Sequence, residues 1–187
     1  FATFSGHKFH AVRGVGFVYK KAGKKITPLL TGGGQEKDFR STTENVAGIA
    51  SMAKTLRLVT DKEAFSLPKI AKMKKIIFDE LAKYEDITIF SGEGEDFAPN
   101  ILTFGIKGVR GEVIVHAFEE HQIYISTTSA CSSKAGKPAG TLISMGVPTK
   151  LAQTAVRISL DDDNDMGQVE QFLTIFKQVY AKTQKVR

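Results

Sequence analysis

The sequence predicts an α/β protein. Two observations carry the prediction. From residue 87 onward, short apolar runs alternate with segments whose apolar residues recur at helical spacing. The composition, 42% apolar and 25% charged over 187 residues, is that of an ordinary globular chain.

Taken in order, the elements read as follows. The first residues read as strand. Phe17–Tyr19 and Ile26–Leu30 are apolar runs on either side of Lys20-Lys21-Ala22-Gly23-Lys24, which predicts a β-hairpin with Gly23 at its turn. Gly32-Gly33-Gly34 reads as a loop. From Thr43 to Leu58, Val46, Ile49, Ala50, Ala53 and Leu56 form a helical stripe, capped by Thr43 or Asn45. Leu67–Tyr84 reads as a second helix with Pro68 in its first turn. Its core stripe is Ile70, Met73, Ile76, Ile77 and Leu81, with lysines on the solvated face.

Ile87–Phe90 and Ile101–Ile106 read as strands, Gly111–Glu120 as a helix and Ile123–Thr127 as a strand. Residues 128–138 read as a loop rich in Ser, Gly and Lys. Ala139–Met145 is a short helix, Thr149 caps another, and Ala155–Leu160 is a strand. After the acidic turn Asp161-Asp162-Asp163, Asp165–Thr183 is the last helix, burying Val169, Phe172, Phe176 and Val179. The stretch from 87 to 187 makes a compact α/β sandwich with its own core. Residues 1–60, by contrast, lack the strands of a covered sheet.

Composition narrows the function classes. No stretch approaches the ~20 apolar residues of a membrane span, and the first residues show no charged stretch followed by an apolar one. The single cysteine, Cys131, excludes an intrachain disulfide and suits a reducing, cytoplasmic setting. The net charge of +6 comes from the N-terminal half, where 16 Lys and Arg face 10 Asp and Glu. Those lysines sit at one turn and along one helix, without interleaved aromatics. A solvated basic surface is therefore expected, with no direct nucleic-acid partner. The chain opens at Phe1 inside what reads as a strand, so a piece of a longer protein is expected.

Three segments carry chemistry. In Ser5-Gly6-His7-Lys8, before Gly14-Val15-Gly16, a lysine follows a histidine at a strand end. It is either a solvated lysine, as most are, or a Schiff-base lysine made nucleophilic by burial, with Ser5 and His7 beside it for a phosphate. In Thr127-Thr128-Ser129-Ala130-Cys131-Ser132-Ser133 the lone thiol sits among small polar residues. A structural cysteine prefers apolar neighbours, whereas an accessible thiol suits a nucleophile or sulfur carrier. In Ala155-Val156-Arg157-Ile158-Ser159-Leu160 a mid-strand arginine needs a partner. Either an internal Asp or Glu or the carboxylate of a ligand meets that need.

Together these segments resemble the NifS-like cysteine desulfurases of the class V aminotransferase fold. Ser5-Gly6-His7-Lys8 through Arg13-Gly14-Val15-Gly16-Phe17-Val18-Tyr19 resembles the pyridoxal-phosphate lysine segment. Gly32-Gly33-Gly34-Gln35-Glu36 and Arg40-Ser41-Thr42-Thr43-Glu44-Asn45 resemble the glycine loop and the Arg-Ser-Gly-Thr motif after it. Val109-Arg110-Gly111-Glu112-Val113, Ile123 to Ser133 and Ala155 to Leu160 match further family motifs, in order and at family-like spacing. The Ser-Ala-Cys-Ser-Ser motif and the loop behind it resemble the NifS group rather than the SufS group. Ala11-Val12-Arg13 stands where the family usually has Gly-Pro-Lys, and Thr42 where it has Gly.

The resemblance implies the following. Residues 1–60 are the end of the large, cofactor-binding domain of fold-type I pyridoxal-phosphate enzymes, and residues 61–187 are the small α/β C-terminal domain. Lys8 holds pyridoxal phosphate and moves the substrate Cα proton, while Ser5 and His7 bind the phosphate. Thr43 reaches the phosphate across a homodimer, and Arg157 clamps the carboxylate of L-cysteine. Cys131 takes the sulfur as a persulfide, leaving L-alanine, and passes it to an acceptor protein, an iron–sulfur scaffold or a tRNA-thiolation enzyme. Activity is expected of the complete protein and not of this stretch alone. The alternatives are another class V aminotransferase, a selenocysteine lyase, or a non-catalytic interaction module.

Overall fold

The computed structural model describes residues 1–94, 96–127 and 140–185. They form two compact units, Phe1–Ala64 and Phe65–Arg187, where the sequence reading divides the chain after residue 60.

In the first unit, β1 (Ala2–Ser5) pairs antiparallel with β2 (Gly16–Tyr19). The hairpin expected between residues 17–19 and 26–30 does not form, because β2 takes β1 as its partner instead. Phe4 stacks on Phe17 with ring centroids 4.6 Å apart, a pairing worth more than area burial alone. Ile26–Leu30 carries Pro28, which has no N–H for a ladder, and stays outside any sheet.

The two expected helices are one, α1 (Val46–Leu81), 36 residues long with Pro68 inside it. Asn45 rather than Thr43 caps its start, its Oδ1 accepting from the Gly48 N–H at 3.1 Å. A proline inside a helix loses the bond to the carbonyl four residues back and crowds that carbonyl with its ring. That carbonyl belongs to Ala64, the last residue of the first unit. The stripe Val46, Ile49, Leu56 is exposed instead of buried, and Ala11 is the only buried apolar residue among the described residues of this unit.

The second unit is built on a four-stranded antiparallel sheet in the order β3-β4-β6-β5: β3 (Ile87–Ile89), β4 (Ile101–Ile106), β5 (Ser126–Thr127) and β6 (Ala155–Ser159). The strand expected over 123–127 pairs only at its last two residues. Alternation divides the sheet into two faces. Leu102, Phe104, Ile106, Val156 and Ile158 point into the core with Ile70, Met73, Ile77 and Leu81 of α1. Ile114 and Phe118 of α2 (Gly111–Glu119) join them, as do Val169, Phe172, Phe176 and Val179 of α5 (Met166–Lys185). Thr103, Ala155, Arg157 and Ser126 therefore share the opposite face, with Gly105 bare on it. There α3 (Gly140–Ser144) and α4 (Thr149–Ala152) cover one end, packing Leu142 and Ala152 on Ala155.

Two caps differ from expectation. Pro148, with no side-chain hydrogen bond, precedes α4 in place of a Thr149 cap. Asp165 lies outside α5 as its cap: its Oδ1 accepts from the Gln168 N–H at 2.9 Å, and Gln168 Oε1 accepts from the Asp165 N–H at 3.2 Å.

Candidate functional site

The expected site residues fall into both units. In the first, Ser5 ends β1 and leads into a 3-10 turn over Gly6–Phe9 that carries His7 and Lys8. The Gly6 N–H donates to Val15 O at 2.9 Å and the Ala11 N–H to Gly6 O at 3.0 Å. His10 closes the turn at φ +70°. Glycine is required at Gly16 and gives a close fit at Gly6. A Cβ on Gly16 would lie 2.4 Å from Phe4 O, and one on Gly6 would lie 3.0–3.1 Å from Val15 and Ala11. This close backbone approach presents Ser5, His7 and Lys8 together, all three exposed. Lys8 is thus not buried as a Schiff-base lysine was expected to be; nothing within this unit covers it. A hydroxyl, an imidazole and an ammonium side by side suit an anion. Thr43 is exposed in the segment before α1, and among the described residues no hydrogen bond ties it to Ser5, His7 or Lys8.

In the second unit, Arg157 stands in the middle of β6 on the face away from the core. Thr103 of β4 is directly opposite on one side and Ser126 of β5 on the other. Its Nε is buried and has no hydrogen-bond partner. Among the described residues no Asp or Glu pairs with Arg157, so the internal ion pair weighed from the sequence is absent there. Gly105 and Ala155 are the next pair along, and a Cβ on Gly105 would lie 2.2 Å from Thr154 Oγ1. Gly111 lets the start of α2 approach β6; a Cβ there would be 2.8 Å from Ala155 O. Cys131 lies outside the described residues.

Beside this face, the segment after β3 is held by a residue that sequence reasoning missed. Lys74 was grouped with the solvated lysines of its helix, yet it is 6% exposed. Its Nζ donates to Ala98 O at 2.9 Å and Gly92 O at 3.2 Å. Burial pushes its pKa down, and the nearby Glu93 charge opposes this. Ser91 Oγ accepts from the Thr103 N–H at 2.8 Å, fastening the same segment to β4. A lysine surrounded by other lysines gives no sequence signal of burial. Farther along α1, Glu80 is held below its ordinary value, first by a hydrogen bond from Lys83 and further by Lys177 at 3.2 Å, while burial opposes.

Comparison with known proteins follows this geometry. The family model described as aminotransferase class-V matches residues 1–172. A NifS/IcsS protein homolog of Lactobacillus delbrueckii subsp. bulgaricus is 46% identical over 184 residues, 98% of this chain and 48% of that protein. A cysteine desulfurase IscS of Dictyoglomus turgidum is 34% identical over 84% of this chain and 40% of its own length. The solved structure of a NifS-like protein from Rickettsia africae superposes with TM-score 0.80 at 31% identity, over 96% of this chain and 47% of that one. The chain thus spans about half the length of the relatives it matches. These likenesses bear out the α/β fold and the resemblance to NifS-like proteins.

Proposed function

The chain belongs to the class-V aminotransferase family, and from that premise we propose that it is part of a pyridoxal-phosphate-dependent cysteine desulfurase. The observation that carries this reading is the Ser129-Ala130-Cys131-Ser132-Ser133 motif, in a chain similar over 98% of its length to a NifS/IcsS homolog. An aminotransferase that moves only the amino group has no use for that thiol.

In this reading the first unit is the end of the cofactor domain and the second is the small domain. Ser5 and His7 bind the phosphate, and Lys8 holds the cofactor and moves a proton at the substrate Cα. The fit rests on the turn over Gly6–Phe9, which carries His7 and Lys8 directly after Ser5, all three exposed. When bound, pyridoxal phosphate supplies the electron sink that weakens the bonds around the substrate Cα. Thr43 serves the phosphate of the partner subunit in a homodimer. Arg157 takes the carboxylate of L-cysteine; a buried guanidinium nitrogen without an acceptor is costly until a ligand supplies one. The Cys131 thiolate attacks the substrate sulfur. One C–S bond breaks, one S–S bond forms, the substrate carbon gains a proton, and the products are L-alanine and a persulfide on Cys131. The persulfide then goes to an acceptor protein that builds iron–sulfur clusters or thiolates tRNA. Among the described residues no helix is long and apolar enough to cross a membrane, and with a lone thiol a cytoplasmic setting suits the chemistry.

The test is to incubate the full-length protein with L-cysteine and a reductant and to measure alanine and sulfide. Equimolar release that depends on Cys131 is expected. Alanine production that persists undiminished in Cys131→Ala would instead make the protein a lyase or an aminotransferase.

A further inference from the structure

Thr103, Arg157 and Ser126 form one row across the sheet, each directly opposite the next. Cβ atoms in such pairs are ~4.5–5.5 Å apart, within reach of one small ligand. Arg157 Nε is buried without a partner. Thr103 is 8% exposed, and neither its hydroxyl nor that of Ser126 makes a hydrogen bond among the described residues. Buried polar groups are nearly always paired, so the buried, unpaired Arg157 Nε marks a place where an outside group completes the bonding, and the register sets a hydroxyl on either side of it.

We propose that Thr103 and Ser126 are positioning residues of a single carboxylate seat centred on Arg157. A carboxylate has about four acceptor sites, and a guanidinium fork fills two of them. A hydroxyl both accepts and donates. Each flanking hydroxyl can therefore accept from the guanidinium, fixing its plane, and donate to one of the two remaining carboxylate sites. The pair across the row gives the seat two sides. The backbone of Thr103 is itself fixed, its N–H bound by Ser91 Oγ. The seat takes a carboxylate group, and it rests on the reading of Arg157 as the carboxylate clamp.

The test is a titration of the ¹⁵N-labelled chain with sodium propanoate, with chloride at equal ionic strength as the control. The readout is the Arg157 Nε–H signal, identified by its loss in Arg157→Lys. Propanoate should shift that signal saturably and chloride should not. Thr103→Val and Ser126→Ala should each weaken binding roughly tenfold, the weight of one hydrogen bond to a charged group. Thr103→Ser, which keeps the hydroxyl, should restore it. If Thr103→Val disturbs the amide spectrum, Ser126→Ala and Thr103→Ser decide the matter by themselves. Parent-like affinity in the hydroxyl-free variants would overturn the proposal and leave Arg157 as a lone clamp. An Arg157 signal that propanoate does not move would remove the clamp itself, and the seat with it.

Discussion

Gly105→Ala is the substitution whose cost the structure sets most directly. The new Cβ would lie 2.2 Å from Thr154 Oγ1 and 3.1 Å from the Thr154 backbone carbon and Cβ. Atoms of these kinds rest at roughly 3.5 Å, so the first overlap exceeds an ångström. Thr154 is 5% exposed, and its hydroxyl donates to Leu151 O at 2.7 Å. Either the hydroxyl turns away and loses that bond, about 0.5–1.5 kcal/mol, or β4 moves against a close-packed core, about 1–3 kcal/mol. Both together give ~2–4 kcal/mol of lost stability for the second unit. Urea unfolding followed by tyrosine fluorescence reads this, because Tyr84 and Tyr180 pack on Phe176 in that core. Thr154→Ala alone should cost about 1 kcal/mol for the lost bond. In the double variant the 2.2 Å overlap is gone, so Gly105→Ala should add only ~1 kcal/mol for the backbone contact that remains. A cycle that is additive to within about 0.5 kcal/mol would refute the steric argument.

Three further outcomes follow from named groups. Burial holds the Lys74 pKa below its ordinary 10.5, so the unfolded chain binds the extra proton. Stability should therefore rise as pH climbs from the lowered value toward 10.5, and this rise should vanish in Lys74→Met; alkaline urea titrations check both. Glu80 behaves in the opposite sense: its carboxylate is held below 4.5 by Lys83 and Lys177, so its contribution is full above that value and lost as pH falls through the lowered one. Glu80→Gln should flatten the acid limb of stability. In the full-length protein, Arg157→Lys should raise the KM for L-cysteine by at least tenfold, because an ammonium cannot form a planar fork; a change within about threefold would exclude Arg157 as the clamp.

Much of the second unit was legible because its signals are local. The stripe Val169, Phe172, Phe176, Val179 repeats at helical spacing, and the structure buries all four. Ile101–Ile106 is an apolar run of strand length, and β4 has those bounds. What was misread depends on partners distant in the chain. Ile26–Leu30 looks as strand-like as Phe17–Tyr19, but register is a tertiary property, and the Phe4–Phe17 stack selects β1. The stripe of residues 46–56 is periodic, yet periodicity does not say whether a layer exists to cover it. Ser5, His7, Lys8, Thr43 and Arg157 were nameable from motifs. Thr103 was not, since only the register of β4 on β6 puts it against Arg157. Lys74 has the spelling of a surface lysine and the surroundings of a core residue.

The claim at the centre of the account is that substrate sulfur comes to rest on Cys131. Mass spectrometry of the full-length protein after brief reaction with L-cysteine, followed by alkylation and digestion, tests it without reference to any acceptor. The account predicts that the peptide carrying Cys131 gains the mass of one sulfur atom, that the gain disappears on reduction, and that Arg157→Lys suppresses it. Alanine formed at full rate with no added sulfur on that peptide would contradict it.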